Sequence, residues 1–148
     1  MTGPELRSWR AYIIGSERLR QSLNSELQDT HNLPLADYEV LVRLSEQPDS
    51  RMRMTQLADE VAQSKSRLSH QISRLEKAGL VRRTHCPSDA RGVLAELTDQ
   101  GMEQLRAAAP THVEGVRDHL IDLISEQERA VLETVFERVL KHLDDTNA

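Results

Sequence analysis

Aromatic residues are scarce: only Trp9, Tyr12, Tyr38 and Phe136 occur among 148 positions. Proteins that grip single-stranded nucleic acid stack successive bases on rings, so this scarcity excludes such a platform. Cysteine is scarcer still, since Cys86 is alone and an intramolecular disulfide framework is excluded. Uninterrupted apolar runs are only a few residues long, far short of a membrane span. The N-terminal stretch lacks the apolar segment of a secretory signal, so a cytoplasmic location without membrane association is expected. Net charge is −5 with a pI of about 5.7, so any binding to nucleic acid must be local rather than a general coating. The sequence also has no nucleophile elbow, no phosphate loop and no paired carboxylates in a cleft-like context. Asp59-Glu60 reads as a solvated helix face, and neither an enzyme activity nor a cofactor is expected.

What the chain does have is a basic island. Between Ser64 and Leu94 lie seven Lys/Arg and two acids, a net of +5, which leaves −10 for the rest of the chain. Much of this charge falls on one helical pattern over residues 64–78. Ser64 is a good N-cap. Leu68, Ile72 and Leu75 form one buried stripe. Lys77 suits the last turn, and Gly79 stands where a left-handed residue is wanted. Lys65, Ser66, Arg67, Ser69, His70, Ser73 and Arg74 are left to face outward. The alternative is an ordinary solvated charged face. A shorter helical pattern precedes it from Thr55, with Leu57 and Val61 on one side.

Two short strands follow, over residues 80–84 and 93–97, with Val93, Ala95 and Leu97 alternating onto one face. Residues 85–92 between them hold Pro, Ser, Asp and Gly and read as an exposed turn. Arg91 at that tip suits a minor groove, whose negative potential favours a guanidinium. Asp89, two residues away, can hold the tip in shape. A simple surface ion pair of Asp89 with Arg91 is the alternative, worth about 0–1 kcal/mol. Residues 51–54 are a candidate third strand.

The order of these parts resembles the multiple-antibiotic-resistance regulator (MarR) family of winged helix-turn-helix transcription factors. The likeness rests on Leu75-Glu76-Lys77-Ala78-Gly79-Leu80-Val81-Arg82-Arg83, then Asp89-Ala90-Arg91-Gly92, then Leu97-Thr98-Asp99-Gln100-Gly101. It implies a mainly α fold (α+β winged helix-turn-helix) of about six helices with a two- or three-stranded wing. It also implies a homodimer on a pseudo-palindromic double-stranded operator, acting as a repressor. Residue by residue, Ser69, His70 and Arg74 fall where the family contacts DNA, and Arg91 is the wing arginine. Lys65, Ser66 and Arg67 face the same way. Arg74 or Arg67 is suited to guanine O6 and N7, and the serines and Lys65 to phosphates. A histidine is the side chain whose charge responds to pH in the physiological range, so with His70 on this face affinity is expected to vary mildly with pH.

The flanking segments fit a dimer. Residues 5–29 read as one long helix of about 37 Å, with Leu6, Trp9, Tyr12, Ile13, Leu19, Leu23 and Leu27 apolar. Residues 35–46 form the next, with Tyr38, Leu41, Val42 and Leu44 inward. Met102, Leu105, Ala109, Val113, Val116, Leu120 and Leu123 make a heptad-like seam over residues 99–123, which Pro110 should kink or break. A capping box at Ser125–Glu128 opens the last helix, with Leu132, Val135, Phe136, Val139, Leu140 and Leu143 along one stripe. Residues 1–33 and 99–148 are therefore expected to dimerise, and residues 34–98 to bind DNA.

The resemblance further implies a small aromatic or phenolic effector held between these parts. Trp9, Tyr12 and Ile13 are candidates to line its pocket, with Arg43 or Arg10 as charge partner. Two variants are weighed against this reading. Arg82 and Arg83 can lower the pKa of Cys86 and favour redox sensing, although an incidental thiol is the expectation. His112 and His119 lie two turns apart on one helix, but a metal site needs three or four ligands, and none is expected. From another class, a winged-helix protein-interaction module is the runner-up. The concentrated basic face argues against it.

Overall fold

The computed structural model describes residues 1–86 and 89–147, the side chains of 89–91 excepted. Helix α1 spans Gly3–His31. Thr2 caps it reciprocally: its hydroxyl accepts from the Glu5 N–H at 3.2 Å, and its own N–H donates to Glu5 Oε2 at 2.9 Å. Asn32, left-handed at φ 52°, ends it. Leu23 and Leu27 are the buried residues of this helix, whereas Trp9, Tyr12, Ile13 and Ile14 stay exposed.

Helix α2 (Leu35–Ser45) buries Leu35, Asp37, Tyr38, Val40, Leu41 and Leu44. Val40 is fully enclosed and Val42 only half-buried, so the inward face sits two residues earlier than expected at that point. A 3-10 turn leads to strand β1 (Arg51–Arg53), helix α3 (Met54–Glu60) and helix α4 (Lys65–Lys77). Strands β2 (Val81–Cys86) and β3 (Asp89–Leu97) complete an antiparallel sheet in the order β1-β3-β2. The expected third strand is thus present, with Met52 opposite Ala95.

The strands run further than residues 80–84 and 93–97. His85 pairs with Val93 and Cys86 with Asp89, so residues 90–92 are the surplus on β3 at an irregularity in the ladder. Ladder pairing carries residues of low strand propensity into the sheet, and of the expected turn Pro87 and Ser88 lie outside the described residues.

Leu27, Val40, Leu41, Leu44, Leu57, Leu68, Ile72 and Val81 form the fully buried heart of the core. Burying one such side chain contributes roughly 1.5–3 kcal/mol. Helix α5 spans Asp99–His119 and carries Pro110 inside it. The proline removes one backbone donor, and the helix continues through the loss without a break. It ends four residues before the expected 123. Leu120 adopts φ −138°, a 3-10 turn covers Ile121–Leu123, and Leu123 is exposed.

The chain divides into compact units Met1–His112 and Val113–Ala148. In the second, Ser125 and Glu128 form the expected capping box: the Ser125 N–H donates to Glu128 Oε1 at 2.9 Å, and the Glu128 N–H donates to Ser125 Oγ at 3.1 Å. These bonds hold the Glu128 carboxyl below its usual range. Helix α6 (Glu126–Asn147) follows and exposes Val131, Leu132, Val135, Val139, Leu140 and Leu143. Among the described residues, no helix is long and apolar enough to cross a membrane.

Candidate nucleic-acid interface

Local chemistry sets both ends of α4. Ser64 is extended, and its hydroxyl accepts from the Arg67 N–H at 3.2 Å. At the other end Gly79 has φ +80°, a conformation that other residues rarely adopt. Leu68, Gln71, Ile72 and Leu75 face the core. The opposite face therefore exposes Lys65, Ser66, Arg67, Ser69, His70 and Arg74, with Ser73 half-buried. No acidic side chain interrupts this face until Glu76.

Shallow clefts flank the helix. Arg67, His70 and Arg74 line one of about 270 Å³ with Ala36, Gln63 and Gln71. Lys65 and Ser69 line another of about 230 Å³ with Met54, Thr55, Arg83 and Val93. The sequence-derived candidates on α4 are thus brought together on one side of the molecule. Asp89 and Arg91 belong to the backbone of β3, but their side chains lie outside the described residues, so the expected wing contact and its support are not located.

Not every candidate is unengaged. The Arg74 guanidinium straddles the Asp37 carboxylate, with Nη1 3.2 Å from Oδ2 and Nη2 3.3 Å from Oδ1. Gln71 Nε2 donates to the same Asp37 Oδ1 at 2.8 Å. Across the helix, Arg83 of β2 donates to the Ser69 carbonyl at 2.8 Å, to Ser69 Oγ at 3.1 Å, to Ser73 Oγ at 3.1 Å and to Glu76 Oε1 at 3.2 Å. The Ser69 hydroxyl accepts there and keeps its own proton for another acceptor.

Arg82, the neighbour of Arg83, pairs across the strands with Glu96 at 3.0 Å and holds that carboxyl below its usual range. Cys86 Sγ accepts from Arg53 Nη2 at 3.4 Å, a cation on β1 that the sequence spacing does not reveal.

A further cleft of about 380 Å³ is lined by Arg20, Tyr38, Glu39, Val42, Arg43 and His112. Arg20 bridges Glu39 at 2.9 Å, and the Tyr38 and His112 rings sit 4.6 Å apart. Burial pushes the Tyr38 hydroxyl pKa up and that of His112 down, the latter opposed by Glu39 and Glu26. Of the expected pocket residues only Arg43 lies here. Trp9, Tyr12 and Ile13 are exposed on α1 and do not line this cleft. Among the described residues, no three His, Cys, Asp or Glu side chains gather as metal ligands would.

Comparison with known proteins fits this geometry. The MarR family profile matches residues 33–93. AbsC, a MarR family transcriptional regulator from Streptomyces coelicolor, is 44% identical, with 98% of this chain and 97% of that one covered and a TM-score of 0.93. Sco3205 from the same organism, a MarR family transcriptional regulator solved in complex with DNA, is 42% identical, with 97% and 93% covered and a TM-score of 0.93. CouR from Rhodococcus jostii RHA1, solved with p-coumaroyl-CoA, shares the fold at 21% identity, with 90% of each chain covered and a TM-score of 0.78. No curated protein matches the chain. With a winged helix-turn-helix core and near-complete alignment to AbsC and Sco3205, the chain belongs to the MarR family.

Proposed function

We propose that the protein is a homodimeric, sequence-specific transcriptional repressor that releases double-stranded DNA when a small molecule binds. The observation that carries this reading is the exposed face of α4. Lys65, Ser66, Arg67, Ser69 and His70 stand there together on a chain that is otherwise acidic. Arg67 is suited to guanine, and Lys65 and the serines to phosphates. Arg91 serves the wing and Asp89 supports it. The DNA-bound state of Sco3205 lends support, as that relative aligns over nearly the whole chain.

Dimerisation rests on the apolar residues left bare on α1 and α6. Two copies present two recognition helices about 34 Å apart, which matches half-sites one helical turn from each other. The effector site is the cleft of Arg20, Tyr38, Arg43 and His112, whose paired cations and rings suit an aromatic acid or phenol. Binding there favours a dimer whose helices no longer match the half-site spacing. Work on DNA implies a cytoplasmic location.

The test is recovery and sequencing of genomic fragments retained by the purified protein, followed by gel-shift titration with the recovered duplex. A shared, pseudo-palindromic site bound far more tightly than scrambled DNA is expected. Retention of no DNA at all would instead support an interaction module.

A further inference from the structure

The recognition helix α4 is held by polar clamps on both flanks. Asp37 of α2 is only 4% exposed and accepts from Gln71 and from both terminal nitrogens of Arg74. Arg83 of β2 reaches Ser69, Ser73 and Glu76 on the other side. Between the clamps, α4 rests on Leu68, Ile72 and Leu75. Apolar contacts of that kind are non-directional. Hydrogen bonds are directional. Two sets from opposite flanks fix the roll.

Roll matters because base reading needs donors held within about 0.5 Å and 10–20° of the productive geometry. The Asp37 clamp also restrains a cation. The Arg74 side chain is 62% exposed, and the carboxylate beneath it holds the guanidinium back from swinging outward. Gln71 adds a further sign of constraint. Its Nε2 is committed to Asp37, and its Oε1 is buried without a hydrogen-bond partner among the described residues. A buried acceptor left in that state is unfavourable, and the amide is held that way by its bond to the carboxylate.

We propose that Asp37 and Arg83 are specificity-determining positioning residues: neither touches DNA, and together they fix the roll of α4 while Asp37 withholds Arg74 from the phosphate backbone. The proposal rests on the DNA-binding reading above. It takes Arg74 out of the role of guanine reader expected from the sequence and makes it a strut.

The experiment compares wild type, Asp37→Asn, Arg83→Lys and the double variant Asp37→Asn/Arg74→Gln, each on the recovered duplex and on a scrambled duplex across a salt series. Asp37→Asn is expected to bind scrambled DNA several-fold more tightly, with a salt slope steeper by about one phosphate contact. Its ratio of specific to scrambled affinity should fall about tenfold, the size of one good base contact. The double variant should return the slope to that of wild type. Arg83→Lys keeps the charge but loses the fork; its ratio should fall with the slope unchanged. Thermal melts check folding, and should Asp37→Asn fail to fold, Arg83→Lys decides alone. Equal losses on both duplexes, with ratio and slope as in wild type, would overturn the proposal and leave purely structural residues. Wild type that binds neither duplex would instead remove the DNA-binding reading, and this inference with it.

Discussion

Gly101, in the first turn of α5, lies directly against the carbonyl oxygen of Leu80. A β-carbon at this position would overlap that oxygen and the Leu97 side chain, so no residue but glycine fits without moving backbone. The contact sets the start of α5 against the chain just after α4. Gly101→Ala is expected to destabilise the protein by about 3 kcal/mol, at the severe end of overpacking. The urea midpoint for unfolding would fall accordingly, and an unchanged midpoint would show that the backbone yields freely here.

Thr98 ties the same junction with hydrogen bonds. Its hydroxyl donates to the Gly79 carbonyl at 2.6 Å and accepts from the Gly101 N–H at 3.0 Å. Thr98→Val keeps the shape and loses both bonds, an expected cost of about 1–2 kcal/mol. Thr98→Ser should retain most of the stability, and equal melting of the two variants would argue against the bonds.

Much of α4 was legible because its signals are local: Ser64 as cap, Leu68, Ile72 and Leu75 as stripe, Gly79 as stop. Its clamps were not, because stripe reasoning passes over polar residues. Yet Asp37 sits four before Leu41 and seven before Leu44, and Gln71 sits three after Leu68 and four before Leu75. A polar residue inside an apolar stripe on each of two helices was the available signal. Arg83 was read as a neighbour of Cys86, since sequence spacing does not show which strand residue meets a helix across the fold. The residues expected to line an effector pocket are legible only as an apolar stripe, for a related reason. Trp9, Tyr12 and Ile13 are apolar, but the same pattern serves a core, a pocket or a partner surface. The early end of α5 had no sequence signal, because the apolar spacing continues through Leu120 and Leu123.

Acid sensitivity is expected from His112. Its folded-state pKa lies below the ordinary value of 6.5 because burial disfavours the imidazolium. The unfolded chain therefore binds the proton more readily, and stability rises with pH. His112 contributes no penalty above about pH 6.5 and an increasing one as pH falls toward its depressed folded-state pKa. His112→Phe keeps a ring against Tyr38 and removes the titration, so its stability should decline less on acidification. Parallel pH profiles for the two proteins would assign the sensitivity elsewhere.

Arg91→Ala is expected to weaken binding to specific and scrambled duplexes about equally, and to flatten the salt slope by about one. Unchanged affinity would remove the wing from DNA binding.

Leu140 is 62% exposed on α6, in line with other bare apolar residues of that helix. In the proposed homodimer this face is covered, so Leu140→Asp should shift sedimentation toward a single chain and abolish tight binding to the recovered duplex. An unaltered sedimentation profile would mean that the dimer uses another surface.

Successive residues of a strand point to opposite sides, and β2 uses this. Arg82 turns to Glu96 while Arg83 turns to α4. Inserting or deleting one residue between Val81 and Arg83 would exchange these directions and uncouple the finger from the rod it braces. Changes in length beyond the irregularity at His85 and Cys86 leave that parity intact. Length changes there alter the reach of the hairpin, and with it the wing, without turning Arg83 away from α4, while the base of the same strand tolerates substitution only in register.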